Sequence, residues 1–118
     1  MIVALLGGFG LAQRLGAEEF LSVLDDMPLM PGLTEQRDQA SDFQTPAGRI
    51  VEGTATGTVD ARAVTSFYDQ TLPALGWTRE GPGRFVRERE RLVIAVAPRS
   101  GSVTVRFSLH PQATAAVR

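Results

Sequence analysis

The sequence predicts a single α+β domain in which one helix packs on an antiparallel sheet. Its 118 residues are 43% hydrophobic and 21% charged, which is typical of one soluble globular domain with its own core. The chain from residue 49 onward shows a strand pattern, then a helical pattern, then further strand patterns. In the last of these strands Val103, Val105 and Phe107 alternate with polar residues, which indicates a sheet with one buried and one solvent-exposed face.

The N-terminal segment, residues 1–16, is treated apart from the α+β domain of residues 17–118. Residues 2–12 form an apolar run that is too short to span a bilayer, which takes about twenty residues. Its length suits the apolar region of a signal peptide, and Gly10-Leu11-Ala12 matches a cleavage site, although no basic residue precedes the run. The alternative is a docked N-terminal helix.

In either case the apolar side chains of this segment are expected to avoid water. We expect Ile2, Leu5, Leu6 and Phe9 to pack on protein, in this chain or in a second copy, which predicts a possible homodimer.

A short amphipathic helix is predicted next, because apolar residues recur at helical spacing. They are Ala17, Phe20, Leu21 and Leu24. Pro28 is expected to end this helix, and residues 27–33 are predicted to form an extended apolar loop. That loop either covers the core as a strap or is an exposed docking surface. Residues 35–44 are polar and are predicted to be a surface connection.

Residues 49–58 are rich in β-branched side chains and predict the first long strand. Asp60 is placed to cap a following helix, which Pro73 and Gly76 close. The apolar stripe of this helix consists of Val64, Phe67, Tyr68 and Leu72. We expect Phe67 and Leu72 to be buried against the sheet, together with Val105 and Phe107.

The remaining strands form an antiparallel meander. They are predicted at residues 78–79, 85–88, 92–97 and 103–109, with turns at 81–83, near 89–90 and at 98–102.

Composition excludes several chemistries. A net charge of −1 argues against binding nucleic acid by bulk charge, and the chain has no cysteine for disulfides, thiol nucleophiles or Cys-based metal sites. All twelve basic residues are arginine, so a Walker loop with its lysine is impossible. His110 is the single histidine, which excludes a histidine pair. We therefore expect no cofactor, no metal and no enzymatic activity.

Three features remain as candidates for a binding surface. Besides the apolar loop, Arg84, Arg87, Arg89 and Arg91 alternate with Glu88 and Glu90, which indicates either a solvated hairpin with cross-strand ion pairs or a surface for an acidic partner. The aromatic residues Phe67, Tyr68, Trp77 and Phe85 form either core or a ligand cleft between helix and sheet. The candidate partner or ligand surface comprises Met27, Leu29, Met30, Tyr68, Trp77, Arg87 and Arg89.

Several of these elements resemble a family of small uncharacterised alphaproteobacterial proteins. The similarity lies in Met27 to Leu33, Thr45 to Val51, Phe67-Tyr68, Leu72-Pro73-Ala74-Leu75-Gly76-Trp77, Phe85 and Arg87-Glu88 with Glu90. Members of that family usually carry an export signal, so the resemblance implies a periplasmic or envelope-associated protein. The alternative is a cytoplasmic one. The resemblance implies no activity.

These observations together predict a non-catalytic interaction or accessory module of the bacterial cell envelope. Its partner is expected to be a protein, or a second copy of the chain, and not nucleic acid. Membrane contact is expected only through the N-terminal segment. The alternative is a small-ligand-binding domain that uses the aromatic cleft.

Overall fold

The computed structural model describes residues 19–112, which form a mostly antiparallel sheet with one α-helix packed on it. Within these residues the strands are β1 Glu19–Phe20, β2 Pro28–Leu29, β3 Leu33–Glu35, β4 Ser41–Thr45, β5 Gly48–Gly57, β6 Thr78–Gly81, β7 Arg84–Arg87, β8 Glu90–Arg99 and β9 Ser102–Pro111. The helix α1 spans Ala61–Thr71, and short 3-10 helices span Arg37–Gln39 and Leu72–Leu75. The predicted α+β class, with one helix on an antiparallel sheet, is confirmed.

The main sheet has the strand order β3, β5, β9, β8, β7, β6, and every neighbouring pair is antiparallel. β4 also pairs with β5, so β3 and β4 share one edge, and β6 forms the other edge. β1 and β2 form a separate small sheet. The meander from β6 to β9 matches the predicted strand order.

The core lies between α1 and one face of the main sheet. In β9 the residues Val103, Val105, Phe107 and Leu109 are buried while their neighbours are not, which confirms the predicted alternation. From the helix, Val64 and Tyr68 are buried, and the Tyr68 ring meets Phe107 edge-on with centroids 5.5 Å apart. The opposite face of the sheet carries no α-helix among the described residues, and the 3-10 helix Arg37–Gln39 lies beside Thr54 and Thr56 of that face.

The helix register differs slightly from the prediction. Leu72 is buried as expected, but Phe67 is only partly buried and packs edge-on against Tyr68, with centroids 4.8 Å apart. Tyr68, and not Phe67, points to the sheet and is buried at the centre of the contact between α1 and the sheet. Asp60 is the N-cap residue, yet its carboxylate makes no capping bond. Its backbone carbonyl accepts the first helical hydrogen bond instead, from Val64 N at 3.2 Å.

The C-terminal end of α1 is as predicted. The chain leaves the α-helix at Thr71, turns once through the 3-10 helix at Pro73, and stops at Gly76 in the left-handed conformation, with a φ of 94°.

The amphipathic helix predicted from Ala17 to Leu24 is wrong for its described part. From Glu19 the chain forms β1 and then a closed loop, in which Leu21 N donates to Met27 O at 3.0 Å and Met27 N to Leu24 O at 2.9 Å. Leu21 and Leu24 are buried, so their spacing reflects core contacts made from a loop. The apolar segment at 2–12 and its predicted packing or cleavage lie outside the described residues.

The apolar loop after this region is a strap over the core. Met27 is fully buried, and Leu29 and Leu33 are each only 6% exposed. The strap interpretation is therefore confirmed, since the side chains of Met27, Leu29 and Leu33 are packed in the core. Backbone hydrogen bonds such as Leu33 N to Met30 O, at 3.0 Å, hold the strap in place.

The predicted polar connection at 35–44 is also wrong, because β3 ends at Glu35 and β4 begins at Ser41. β4 pairs with β5 without a break from Ser41 to Thr45. An edge strand such as β4 is largely exposed on both faces, so its sequence lacks the apolar alternation by which strands are recognised.

Candidate functional site

The Tyr68 hydroxyl joins helix α1 to the strap. It donates to the Pro28 carbonyl at 2.7 Å and accepts from Met30 N at 3.2 Å, so both of its hydrogen-bonding functions are used inside the protein. Burial raises the pKa of Tyr68 above the usual value for tyrosine, and the Met30 hydrogen bond offsets part of this rise. Tyr68 thus serves as a structural bond between two segments.

Trp77 lies just after the 3-10 helix, and its ring is covered by Arg87. The guanidinium carbon is 4.2 Å from the ring centroid, which is a cation–π contact. Arg87 also donates to the Leu75 carbonyl at 3.2 Å and to the Asp26 carboxylate at 2.9 Å. The Arg87 side chain passes so close to Gly76 that a Cβ there would lie 3.3 Å from its Cδ. These contacts hold the guanidinium in one orientation.

The predicted aromatic cleft between helix and sheet does not form in the described part of the chain. Tyr68, Trp77 and Phe85 are 2%, 3% and 1% exposed, and all three belong to the core. The Trp77 Nε1 is buried and has no acceptor among the described residues. Core packing, the other interpretation of these aromatics, is confirmed.

An open groove of about 1010 Å³ lies beside the C-terminal end of the helix. We call it the arginine groove. It is lined by Arg49, Leu75, Gly76, Arg87, Glu88, Arg89 and Glu90. It is larger than the grooves of about 340 Å³ at Thr34 and about 430 Å³ at Thr54. The 3-10 helix forms one wall and the turn between β7 and β8 forms the other.

The charges along the floor of the arginine groove are paired. Arg49 donates from Nε to Glu90 at 2.9 Å and from its terminal nitrogen to the same carboxylate at 3.3 Å. This hydrogen-bonded carboxylate raises the pKa of Arg49, against the lowering effect of desolvation. Arg87 is held by Asp26 as described above. Both guanidiniums are therefore fixed in place and charged.

The rim of the groove is the turn Glu88-Arg89, where both side chains are exposed. Neither forms an ion pair within 4 Å with any part of the chain that the structure describes. Glu88 has a φ of 55°, a left-handed conformation that is unfavourable for residues other than glycine. The rim thus presents two unpaired charges on a sharply turned backbone, beside exposed Leu75.

The charge run on β7 and β8 pairs differently from the prediction. Glu88 lies in the turn between β7 and β8, and Glu90 lies on β8. Ion pairs do form, but they reach other elements, because Arg87 pairs with Asp26 and Glu90 with Arg49. Arg91 pairs across two strands with Glu80 at 3.2 Å. The run is therefore distributed over both faces of the sheet.

The seven residues predicted for a partner or ligand surface thus separate into two groups. Four of them are buried: Met27, Leu29, Tyr68 and Trp77. Met30 and Arg87 are partly exposed, and Arg89 is exposed. Only Arg87 and Arg89 of the seven line the arginine groove. Burial removes Met27, Leu29, Tyr68 and Trp77 from contact with a partner, whereas Met30 keeps part of its surface.

Sequence reasoning missed Arg49, Leu75 and Gly76 as groove residues. Arg49 reaches Glu90 across 41 positions of the chain, and no local pattern reports such a distance. A signal did exist for Leu75 and Gly76, since the closure of α1 at Gly76 was predicted and places Leu75 at an exposed helix end.

Residues 19–112 contain neither a cluster of metal-binding side chains nor a membrane-spanning helix. No three His, Asp or Glu residues are grouped so that they could hold a metal ion. No described helix has the length and hydropathy needed to cross a membrane.

Comparison of the chain with protein-family models, with curated proteins and with solved structures gives no significant match. The resemblance to the alphaproteobacterial family therefore stays a prediction.

Proposed function

We propose that the chain is a non-catalytic interaction module of the bacterial cell envelope, and that it binds an acidic segment of a protein partner in the arginine groove. The observation that carries this proposal is the exposed Arg89 on the rim, which forms no ion pair among the described residues, beside two guanidiniums that Glu90 and Asp26 hold in place. An arginine has five N–H donors, and Arg49 and Arg87 each use two of them within the chain, so donors remain for a planar carboxylate. Glu88 is exposed on the same turn with the opposite charge, so the partner carboxylate is expected at Arg89 and away from Glu88.

The groove combines this charge with apolar surface. Leu75 is 38% exposed and lines the groove together with Arg89. Interfaces are commonly enriched in arginine and in apolar contacts that exclude water around it. A partner segment that places a carboxylate near Arg89 and an apolar side chain near Leu75 would match both features.

Arg49 in the groove and the buried Tyr68 are not suited to general acid–base catalysis at neutral pH. The pKa values of Arg49 and Tyr68 are both raised, so each group keeps its proton at neutral pH. General acid–base catalysis needs a group that titrates near the working pH. Location in the envelope is supported by the family resemblance and by the signal-like residues 2–12.

Site-specific photo-crosslinking in the source cell tests the groove. A photoreactive phenylalanine analogue is introduced at Leu75 or Arg89, and as a control at Ser66, an exposed position on α1. We expect one common adduct from the two groove positions and none from Ser66. Equal adducts from all three positions, or none from the groove, would contradict the proposal.

A matched charge reversal tests the role of the rim arginine. With the crosslinker at Leu75, Arg89→Glu should abolish the adduct, whereas Arg62→Glu, the same change on the exposed surface of α1, should leave it intact. Fractionation of the same cells should recover the chain with the envelope. Recovery in the cytoplasm alone would contradict the location.

A further inference from the structure

The two edges of the main sheet are protected to different degrees. At the β6 edge a bulge interrupts the pairing between Arg79 and Gly81, and Pro82 follows directly. Bulges, prolines and basic side chains are the usual means by which proteins prevent an edge from pairing with another strand. β4 itself contains no bulge and no basic residue, since its register with β5 is unbroken and its one charged residue is Asp42. Pro46 follows β4 as Pro82 follows β6, so the bulge and Arg79 are what distinguish the two edges.

An exposed aromatic side chain lies at the centre of this unprotected edge. Phe43 is the middle residue of β4 and is 60% exposed, more than any other large hydrophobic residue in the described chain. It pairs with Ile50, on the face of the sheet opposite α1. No described element pairs with the outer side of β4. The edge thus offers backbone hydrogen-bonding groups and an apolar contact together.

We infer that β4 pairs in antiparallel fashion with β4 of a second copy of this chain, with Phe43 opposite Phe43. A two-fold axis perpendicular to the sheet would join the two sheets into one and keep both helices on the same side. Under this symmetry, residues on the same sheet face oppose each other, which leaves only even shifts of the register.

The sequence of β4 selects one of these registers. With Phe43 opposite Phe43, Asp42 faces Gln44 and Ser41 faces Thr45, so no like charges meet. Moving the centre to residue 42 would oppose Asp42 to Asp42, which is destabilising. Moving it to residue 44 would oppose Asp42 to Pro46, which has no N–H to donate. The strand is self-complementary about Phe43, which favours a second copy over an unrelated strand.

Cysteine crosslinking tests this register directly, because the natural chain contains no cysteine. In the proposed dimer, the Cα atoms of two residues at position 43 lie roughly 4.5–5.5 Å apart, within disulfide reach. Residues at position 41 are four residues apart along the strand and lie about 14 Å from each other, at roughly 3.4 Å per residue. Under mild oxidation Phe43→Cys should form a covalent dimer at least tenfold faster than Ser41→Cys.

A double variant separates the register from general reactivity. Ser41→Cys with Thr45→Cys should crosslink between copies as fast as Phe43→Cys, since positions 41 and 45 oppose each other. If Ser41→Cys alone crosslinks as fast as Phe43→Cys, or neither exceeds a Phe20→Cys control at another exposed phenylalanine, the proposal is overturned.

Sedimentation velocity over a concentration series supplies a test without cysteine. The unmodified chain should show a reversible monomer–dimer equilibrium. Gln44→Asp, which opposes two carboxylates across the interface, should weaken it about tenfold or more, and adding Asp42→Arg should restore it. A chain that stays monomeric, or a dimer indifferent to Gln44→Asp, would overturn the proposal, and a stable complex with another protein's strand in its place would do the same.

Discussion

At the scale of single residues, the fold depends on polar side chains that reach across the core. Tyr68 bonds the strap from the helix, and Arg87 joins Trp77, Leu75 and Asp26. Removing one partner of such a contact leaves the other without a hydrogen-bond partner. Each such substitution should therefore lower the free energy of unfolding by more than an ordinary surface substitution does.

Tyr68 should make the protein sensitive to alkaline pH. Its pKa is raised in the folded state above the value of about 10 expected for an unfolded chain. The folded state therefore holds the phenolic proton more tightly than the unfolded state does. The contribution of Tyr68 to the free energy of unfolding should be complete below about pH 10 and should be lost as the pH rises further. Because Tyr68 is the single tyrosine, tyrosinate absorbance reports it alone.

Tyr68→Phe is the control for this effect. Its unfolding free energy at neutral pH should be lower by about 1–3 kcal/mol, because Pro28 O and Met30 N lose their partner. Its further decline at alkaline pH should be shallower than that of the parent. Ionisation of Tyr68 near pH 10 in a protein that is still folded would show that the hydroxyl is accessible.

Arg87 should contribute more to stability than its neighbour Arg91. Arg87→Met keeps part of the stem but loses the cation–π contact and two hydrogen bonds, which should cost about 1–2 kcal/mol. Arg91→Met breaks one exposed pair with Glu80, worth less than about 1 kcal/mol. Urea unfolding followed by the single tryptophan measures both variants, and equal losses would contradict this assignment.

At the scale of elements, β5 is the strand that connects the N-terminal strands of the main sheet with the C-terminal ones. It pairs with β3 and β4 along one side and with β9 along the other. Two of its glycines face the helix side of the sheet, opposite Phe107 and Val103. The strap and the loop before it cross the sheet here, and they come close to β5 because these glycines have no side chain.

The glycines of β5 should differ in their tolerance of alanine. A Cβ at Gly57 would overlap the Gly32 carbonyl, which is backbone and cannot move aside. A Cβ at Gly53 would be in ordinary contact with Leu21, at 3.5 Å. Gly57→Ala should therefore lower the unfolding free energy by about 1–3 kcal/mol, and Gly53→Ala should leave it nearly unchanged. Thermal and urea unfolding of the two variants, compared with the parent, provide the measurement.

If Gly57→Ala unfolds like Gly53→Ala, the close contact between Gly32 and β5 is absent in solution. Both substitutions add one methyl group to the same strand, so strand propensity cannot account for a difference between them.

At the scale of the whole molecule, the central pairing joins distant parts of the chain. Val51 opposes Leu109 in β5 and β9, while α1 and the meander lie between them in sequence. Such non-local pairing requires the chain to lose loop-closure entropy before any contact between the strands forms. The hairpins from β6 to β9 join neighbouring segments, so less entropy is lost when they form.

The chain should accordingly fold slowly for its size. Proteins dominated by non-local antiparallel pairing fold in roughly milliseconds to seconds, and helical bundles in microseconds to milliseconds. Stopped-flow refolding from urea, followed by the fluorescence of Trp77, should show a phase in the slower range. Complete refolding within microseconds would contradict a rate set by the pairing of β5 with β9.

The sequence by itself determined the elements whose pattern is local. The alternation of Val103 to Leu109 follows from the two-residue period of a strand, and Gly76 ends the helix because it adopts a left-handed backbone readily. The sequence also limited residues 27–33 to two interpretations, a strap over the core or a docking surface, and the burial of Met27 decides for the strap.

The tertiary structure alone decided the rest. Leu21 and Leu24 have the spacing of a helix, yet they are buried from a loop because β1 pairs with β2. β4 is a strand because β5 supplies its hydrogen bonds, and its exposed side chains leave no burial pattern. The arginine groove exists because Arg49 reaches Glu90 and Arg87 reaches Asp26 across long stretches of chain. Local patterns record which face of an element is buried, whereas pairing between distant residues depends on how the whole chain folds back on itself.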